Sequence, residues 1–374
     1  SAIQGIGPEH IIFEEASFWA YMCQAGGRFA DFMISGEELA IAECYENIHR
    51  ARDLALNHEM LTEHWLASRL LNCVGRMEQR SSWRVLQRQH FSPEYISILT
   101  RFPWNSVHEL WDSQIEALEG VDLQDGSKGN ILSDNIKRAL VTMPTSAGKT
   151  LIAEMLIVRA LERYPDAKCI YVAPSRALVD EVESKLHYRL RFLGYKVASV
   201  VGSFEISEFE EAYLAKINVA ILTPEKLDYL FRKRDPFVSN VSLIIFDETH
   251  KVGEGERGWL LETLITWLLL KPDIVNTKMV FMSAVIAGSQ HTAIRLWLGQ
   301  GNVSPVLSSN WSPTRQLLGI LHYERPRPVW SRPVAIDENG NRYYWDQVAH
   351  LNFKYRIGRI QRQVEGLYGL RFAV

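Results

Sequence analysis

From residue 138 onward the chain alternates short apolar runs with longer stretches of helical periodicity, and this alternation constrains the fold more than any other feature. The runs are RALVTM (138–143), KCIYVA (168–173), KVASVV (196–201), NVAILT (218–223), SLIIFD (242–247), KMVFMS (278–283) and QLLGIL (316–321). A strand that is apolar on both faces must be covered on both. A parallel sheet between two layers of helices does this. The expected fold class is therefore α/β. Ligands of such sheets sit at the carboxyl ends of the strands, so the residues that follow each run are the first candidates for a site.

The rest of the chain reads differently. Over residues 1–105, Ser35 and Glu38 have the spacing of a capping box. Ile41, Tyr45, Ile48 and Arg52, and then Leu61, Trp65, Val74 and Met77, recur at helical intervals. This predicts an all-α N-terminal domain over 1–105, followed by the α/β domain over 106–322. In the tail, 323–374, Pro326, Pro328 and Pro333 break regular structure, and Asn339-Gly340 predicts a β-hairpin turn. Lys354, Arg356, Arg359, Arg362 and Arg371 against Glu365 predict a basic helix near the end.

Bulk properties bound the function. The formal net charge is -3, so any nucleic-acid surface is a local patch and not a global basic field. Cys23, Cys44, Cys73 and Cys169 lack zinc-ligand spacing and suggest reduced thiols. The opening SAIQGIGPEH has no secretory pattern, and Leu260–Leu270 is too short to span a bilayer. The expectation is a cytoplasmic protein with no membrane partner.

The segment MPTSAGKT (143–150) joins a strand to the helical run LIAEMLIVRAL. A strand–loop–helix ending in Gly-Lys-Thr is a phosphate loop, although Met143 stands where the general pattern has glycine. Thr145, Ser146, Ala147 and Gly148 would cradle phosphates with loop amides and a helix N-terminus. Lys149 would reach the β/γ-phosphates and the Thr150 hydroxyl would ligate Mg²⁺, which makes ATP and Mg²⁺ the expected cofactors. About a hundred residues on, LIIFDETH ends an apolar strand in two acids. Asp247 would hold Mg²⁺ through water. Glu248 would orient the attacking water and take its proton.

At these residues the chain resembles the first motor domain of superfamily 2 helicases, and most closely their superkiller-like DExH-box branch, which includes DNA-repair and RNA helicases. The resemblance implies a RecA-like ATP-binding domain and covers about residues 108–321. It places Gln114 of WDSQIEAL at the adenine edge. It gives phosphate contacts on a single nucleic-acid strand to Arg176 of APSRAL, to Gly202 of VVGSFE and to Thr223 of TPEKLD. His250 of DETH and Ser283 of SAV would couple nucleotide state to a second motor domain. RGWLLE (257–262) and SNWSPT (309–314) match in order. Val285 and Ser312 depart from the threonine and arginine usual at those positions. Lys226 reads as a surface lysine.

A second motor domain is about 100–150 residues. Only about forty residues separate the first from Gly358-Arg359-Ile360-Gln361-Arg362, whose pattern resembles an arginine-finger motif with Tyr355 at its glutamine position. The expectation is therefore that the second RecA-like domain is absent from this chain. The expected function is an ATP-dependent helicase or translocase on single-stranded nucleic acid, DNA favoured, of a genome-maintenance or phage-defence kind, with a protein partner such as a nuclease. The alternatives are an RNA helicase and a nucleotide-gated scaffold or clamp subunit.

Overall fold

The computed structural model describes residues 8–101, 106–122, 128–144, 147–200, 212–233, 236–271, 276–284 and 288–299. Nearer the C-terminus it describes 306–308, 320–322, 335–336, 342–343, 350–357 and 360–367. The first five helices are α1 Pro8–Ser35, α2 Glu38–Asn57, α3 Leu61–Arg80, α4 Ser82–Arg88 and α5 Pro93–Arg101. Helices α1–α3 close around Phe18, Phe32, Ile41, Cys44, Ile48 and Val74. Ala40, Ala51, Ala55 and Ala67 are buried among them, and such small side chains let the helix backbones approach. Ser35 does not cap α2 as expected. It is the last residue of α1, its hydroxyl donates to Asp31 O at 2.7 Å, and α2 starts after Glu37 with no side-chain cap. A serine that can return its proton to the preceding turn has less to gain from capping forward.

The sheet region follows with α6 Asp112–Glu119, β1 Val121–Asp122, β2 Lys128–Gly129, β3 Arg138–Thr142, α7 Lys149–Arg163, β4 Lys168–Val172 and α8 Arg176–Leu190. Next come β5 Val197–Val200, β6 Val219–Leu222, α9 Pro224–Lys233, α10 Pro236–Ser239 and β7 Val241–Phe246. Then come α11 Gly255–Leu270, β8 Lys278–Ser283, α12 Gly288–Leu298 and β9 Val306–Ser308. The strand order is β2-β1-β9-β3-β8-β7-β4-β6-β5. From β9 to β5 every pairing is parallel, while β1 and β2 add antiparallel at one edge. This is the expected α/β, RecA-like sheet with helices on both faces.

Alternate residues of each strand enter two separate cores. Val141, Cys169, Tyr171, Ile221, Ile245 and Met282 pack with α7 and α8. Leu140, Ile170, Val172, Leu222, Phe246 and Phe281 pack with α9, α11 and α12. Each fully buried large aliphatic or aromatic side chain contributes about 1.5–3 kcal/mol, so the doubly covered strands anchor the molecule. The first of these cores also takes in Trp83, Leu86, Tyr95, Ile96 and Leu99 from α4 and α5. The core of the sheet layer therefore begins near residue 83.

The last strand of the parallel sheet is Val306–Ser308, not the expected 316–321. Within that stretch Ile320 and Leu321 belong to a different sheet.

Residues 314–374 form a compact unit of their own. Ile320–His322 (β10) pairs antiparallel with His350–Ile357 (β13), which pairs with Ile360–Leu367 (β14). The hairpin expected around Asn339-Gly340 is flanked by paired strands, Ala335–Ile336 (β11) with Arg342–Tyr343 (β12). The expected basic helix is not formed. β13 and β14 are a hairpin in register Ile357↔Ile360 and Tyr355↔Arg362. Leu351, Phe353, Tyr355 and Ile357 alternate with polar residues at a period of two, and that period outweighs the charge pattern. No helix among the described residues is long and apolar enough to cross a membrane.

Candidate functional site

The phosphate loop leaves the carboxyl end of β3. The Met143 amide donates to Ser283 O on β8 at 3.0 Å, and its side chain is wholly buried in the core. Among the described non-glycine residues only Glu59, His90 and Glu248 have positive φ, so the Met143 backbone needs no glycine. The loop's real glycine requirement is Gly148. Its φ is +88°, and a β-carbon there would lie 2.1 Å from Gln114 Nε2. Gly148 opens α7, with Lys149 and Thr150 in its first turn. Lys149 Nζ donates to Met143 O at 3.4 Å. The free amides of that turn and the helix dipole favour an anion there. Thr145 and Ser146 lie outside the described residues.

The acids leave β7, two strands away. The Asp247 amide donates to Val172 O at 2.9 Å, which continues the pairing with β4. The Asp247 carboxylate is buried and accepts the Tyr171 hydroxyl on Oδ2 at 2.6 Å and the Glu248 amide on Oδ1 at 2.8 Å. Burial pushes its pKa above the ordinary value, against the pull of the Tyr171 and Glu248 bonds and of the Lys149 charge. Glu248 itself sits at φ +51°, a left-handed conformation that costs an ordinary residue on the order of 1 kcal/mol. Its Oε2 lies 3.2 Å from His250 Nδ1, and Ser283 Oγ lies 3.4 Å from the same nitrogen. Ser283 is fully buried at the end of β8.

Lys149, Thr150, Gly148, Gln114, Asp247 and Glu248 line one cavity of about 1000 Å³. Gln114 is held before any ligand arrives. Its Oε1 accepts the Trp111 amide at 2.9 Å, and neighbouring Ser113 donates to Ala147 O at 3.3 Å. The cavity also has walls that sequence reasoning missed, among them Trp111, Tyr188, Glu154 and Arg189. Glu154 is buried and accepts Arg189 Nη1 at 2.9 Å and the Tyr95 hydroxyl at 3.1 Å. This network joins α7, α8 and α5. A lone acid inside the apolar run LIAEMLIV, like a lone tyrosine inside KCIYVA, was the available signal.

The other half of the sheet's carboxyl edge carries the residues assigned to nucleic acid. Ser175 caps α8 by accepting the Leu178 amide at 3.4 Å, which leaves Arg176 exposed at the helix start. Thr223 precedes α9, and its carbonyl accepts the Leu227 amide at 3.1 Å. β4 and β6 are neighbours, so Arg176 and Thr223 emerge side by side. Lys226 is buried, contrary to the expectation of a surface lysine, because its position on α9 turns into the core beside Leu227. Arg257 pairs with Glu225 at 3.6 Å, which ties the start of α11 to the start of α9. Gly258 is needed for close packing, since a β-carbon would meet Lys251 O at 2.4 Å. Gly202, Val285 and Ser312 lie outside the described residues. So do Gly358 and Arg359.

Residues 122–293 match the profile of the DEAD/DEAH box helicase family. The Hachiman protein HamB of Bacillus cereus is 32% identical over 266 residues, which is 70% of this chain and 22% of that protein. The ATP-dependent DNA helicase Hel308 of Pyrococcus horikoshii is 31% identical over 216 residues, 58% of this chain and 26% of that protein. A solved structure, that of a hypothetical ATP-dependent RNA helicase from Sulfolobus tokodaii, aligns with a TM-score of 0.42 and 19% identity over 56% of this chain and 54% of that one. The chain spans about a quarter of the length of the curated relatives it matches.

Proposed function

We propose, from the premise that residues 122–293 are a DEAD/DEAH box helicase domain, that this chain is the ATP-binding half of a nucleic-acid motor. It hydrolyses ATP and couples the hydrolysis to movement along a single strand, DNA in preference to RNA. The observation that carries this reading is the gathering of Lys149, Thr150, Asp247 and Glu248 in one cavity at the carboxyl edge of the sheet. The segments of Arg176 and Thr223, which would face a polymer, leave the same edge from the neighbouring strands β4 and β6.

The roles follow from the chemistry. Lys149 and the α7 amides hold the terminal phosphates. Mg²⁺ fits the donor set, since Thr150 offers a hydroxyl and Asp247 a carboxylate, and the ion ordinarily completes its shell with phosphate oxygens and water. When bound, it neutralises phosphate charge. Glu248, fixed by its backbone and by His250, orients water and accepts its proton. Gln114 stands where an adenine edge would be read. Arg176 and Thr223 contact backbone phosphates, which carry little sequence information. The preference for DNA is supported by the archaeal relatives that are named ATP-dependent DNA helicases. Strand separation would need the second motor domain.

The test is ATP hydrolysis with no polymer, with single-stranded DNA, with single-stranded RNA and with duplex. Stimulation by single-stranded DNA above the others is the expected result. Glu248→Gln should still bind ATP and should lose turnover by about 100-fold or more. Lys149→Ala should lose both. Normal turnover in Glu248→Gln would sink the assignment. Hydrolysis indifferent to every polymer would leave the nucleotide-gated scaffold.

A further inference from the structure

Tyr171 is the fourth residue of the apolar parallel strand β4, Lys168–Val172. Its ring is fully buried in the core beneath α7 and α8. A buried phenol has to place its O–H on an acceptor, and this one donates to Asp247 Oδ2 at 2.6 Å. The other carboxylate oxygen, Oδ1, accepts the Glu248 amide at 2.8 Å. Two donors therefore grip the carboxylate, the amide of the next residue and the hydroxyl from the neighbouring strand β4, and it cannot turn about its last torsion without breaking one of them. The strands themselves set this arrangement. β4 and β7 are adjacent with Tyr171 opposite Ile245 and Val172 opposite Phe246, and the Asp247 amide donates to Val172 O. Phenylalanine would fill the same space, and the oxygen adds this bond.

We infer that Tyr171 is the positioning residue of the metal site. Its hydroxyl, donated to Asp247 Oδ2, sets the plane of the carboxylate so that the remaining lone pairs face the ion that accompanies a bound nucleotide. The inference rests on the assignment of Asp247 under the proposed function. Tyr171 acts through Asp247 and touches no reacting atom. Support from outside the first ring of ligands is the usual means of fixing a ligand's orientation, and its removal typically costs about 10- to 100-fold in metal affinity.

The test is calorimetric binding of a non-hydrolysable ATP analogue, with and without Mg²⁺, to the unaltered chain and to Tyr171→Phe. No turnover is required. The expected result is unchanged metal-free binding in Tyr171→Phe and a loss of about tenfold or more in the tightening that Mg²⁺ brings. Undiminished tightening overturns the inference and leaves the nucleotide site standing. Equal weakening with and without Mg²⁺ shows a structural role only and also overturns it. Failure of the unaltered chain to bind the analogue overturns the site assignment, and the inference with it. If Tyr171→Phe does not fold, 3-fluorotyrosine installed at position 171 alone supplies a fluorine resonance. A resonance that moves when Mg²⁺ is added to the nucleotide complex supports the inference, and one that stays fixed overturns it.

Discussion

Positions 143 and 148 show how differently two residues of one loop are constrained. Met143 continues the strand, keeps an ordinary backbone and buries its side chain, so the glycine of the general phosphate-loop pattern is dispensable there. Gly148 has a left-handed backbone against Gln114. Gly148→Ala is expected to lower nucleotide affinity by about tenfold or more, given a strained φ and a clash at once. Adding Gln114→Ala removes the clash and leaves the φ strain, so denaturant titration of the nucleotide-free chain should show partial recovery of the stability lost in Gly148→Ala. Lys278 gives a prediction of a different kind. Burial holds its ammonium down from 10.5 to about 8, while its Nζ donates to Ser133 O at 2.7 Å. Below pH 8 both folded and unfolded chains carry the proton, and the folded chain bears a desolvation penalty of about 3 kcal/mol. Between 8 and 10.5 only the unfolded chain binds it, so stability rises with pH across that window. Lys278→Met should be more stable than the unaltered chain at pH 7, by about 2 kcal/mol after the lost hydrogen bond. Denaturant titrations should show the gap closing as pH rises from 8 towards 10.

Between elements, the helical N-terminus is fastened to the sheet layer through the carbonyls at the end of α1. Ile34 O accepts both Trp83 Nε1 at 3.2 Å and the Thr100 hydroxyl at 3.0 Å, and Met33 O lies 3.3 Å from His108 Nδ1. His108 belongs to the segment that walls the nucleotide cavity, so this fastening also shapes the site. The buried Tyr95–Glu154–Arg189 network is the second clamp. Arg189→Met leaves the Glu154 carboxylate buried without its cation and should cost about 3–5 kcal/mol. Joint replacement of Glu154 and Arg189 by leucine should cost less than Arg189→Met alone, and a double-mutant cycle by denaturant titration measures the difference. These long-range partners had no sequence signal beyond their oddity among apolar neighbours. The same holds for β9, three residues long, whose partner β3 lies far along the chain. The β13–β14 hairpin is local, and its period-two alternation was legible beside the basic residues that suggested a helix.

For the molecule as a whole, the carboxyl edge reads in order across β3, β8, β7, β4 and β6: phosphate loop, Ser283, the acid pair, Arg176 and Thr223. The residues proposed for nucleotide chemistry and those proposed for polymer contact thus leave the same edge of one sheet. The net charge of -3 supplies no general attraction for a polyanion, so polymer binding rests on local contacts. Raising salt from about 50 mM to about 200 mM should cut polymer-stimulated hydrolysis steeply and leave basal hydrolysis nearly constant, because only the former releases condensed counterions. Steady-state rates at several salt concentrations decide this.

The sequence by itself determined the α/β class and six of the parallel strands, and it named the candidate residues Gln114, Gly148, Lys149, Thr150, Asp247 and Glu248 that line one cavity. Those depend on local periodicity, glycine and the spacing of charged residues, all of which act over a few residues. Tertiary structure alone decided that Met143 suffices, that Lys226 is buried, that Val306–Ser308 completes the parallel sheet, and that Tyr171 and Glu154 pack beside the candidate site. Each of these depends on which distant side chain or backbone group comes to lie opposite, and packing fixes that once the sheet has formed.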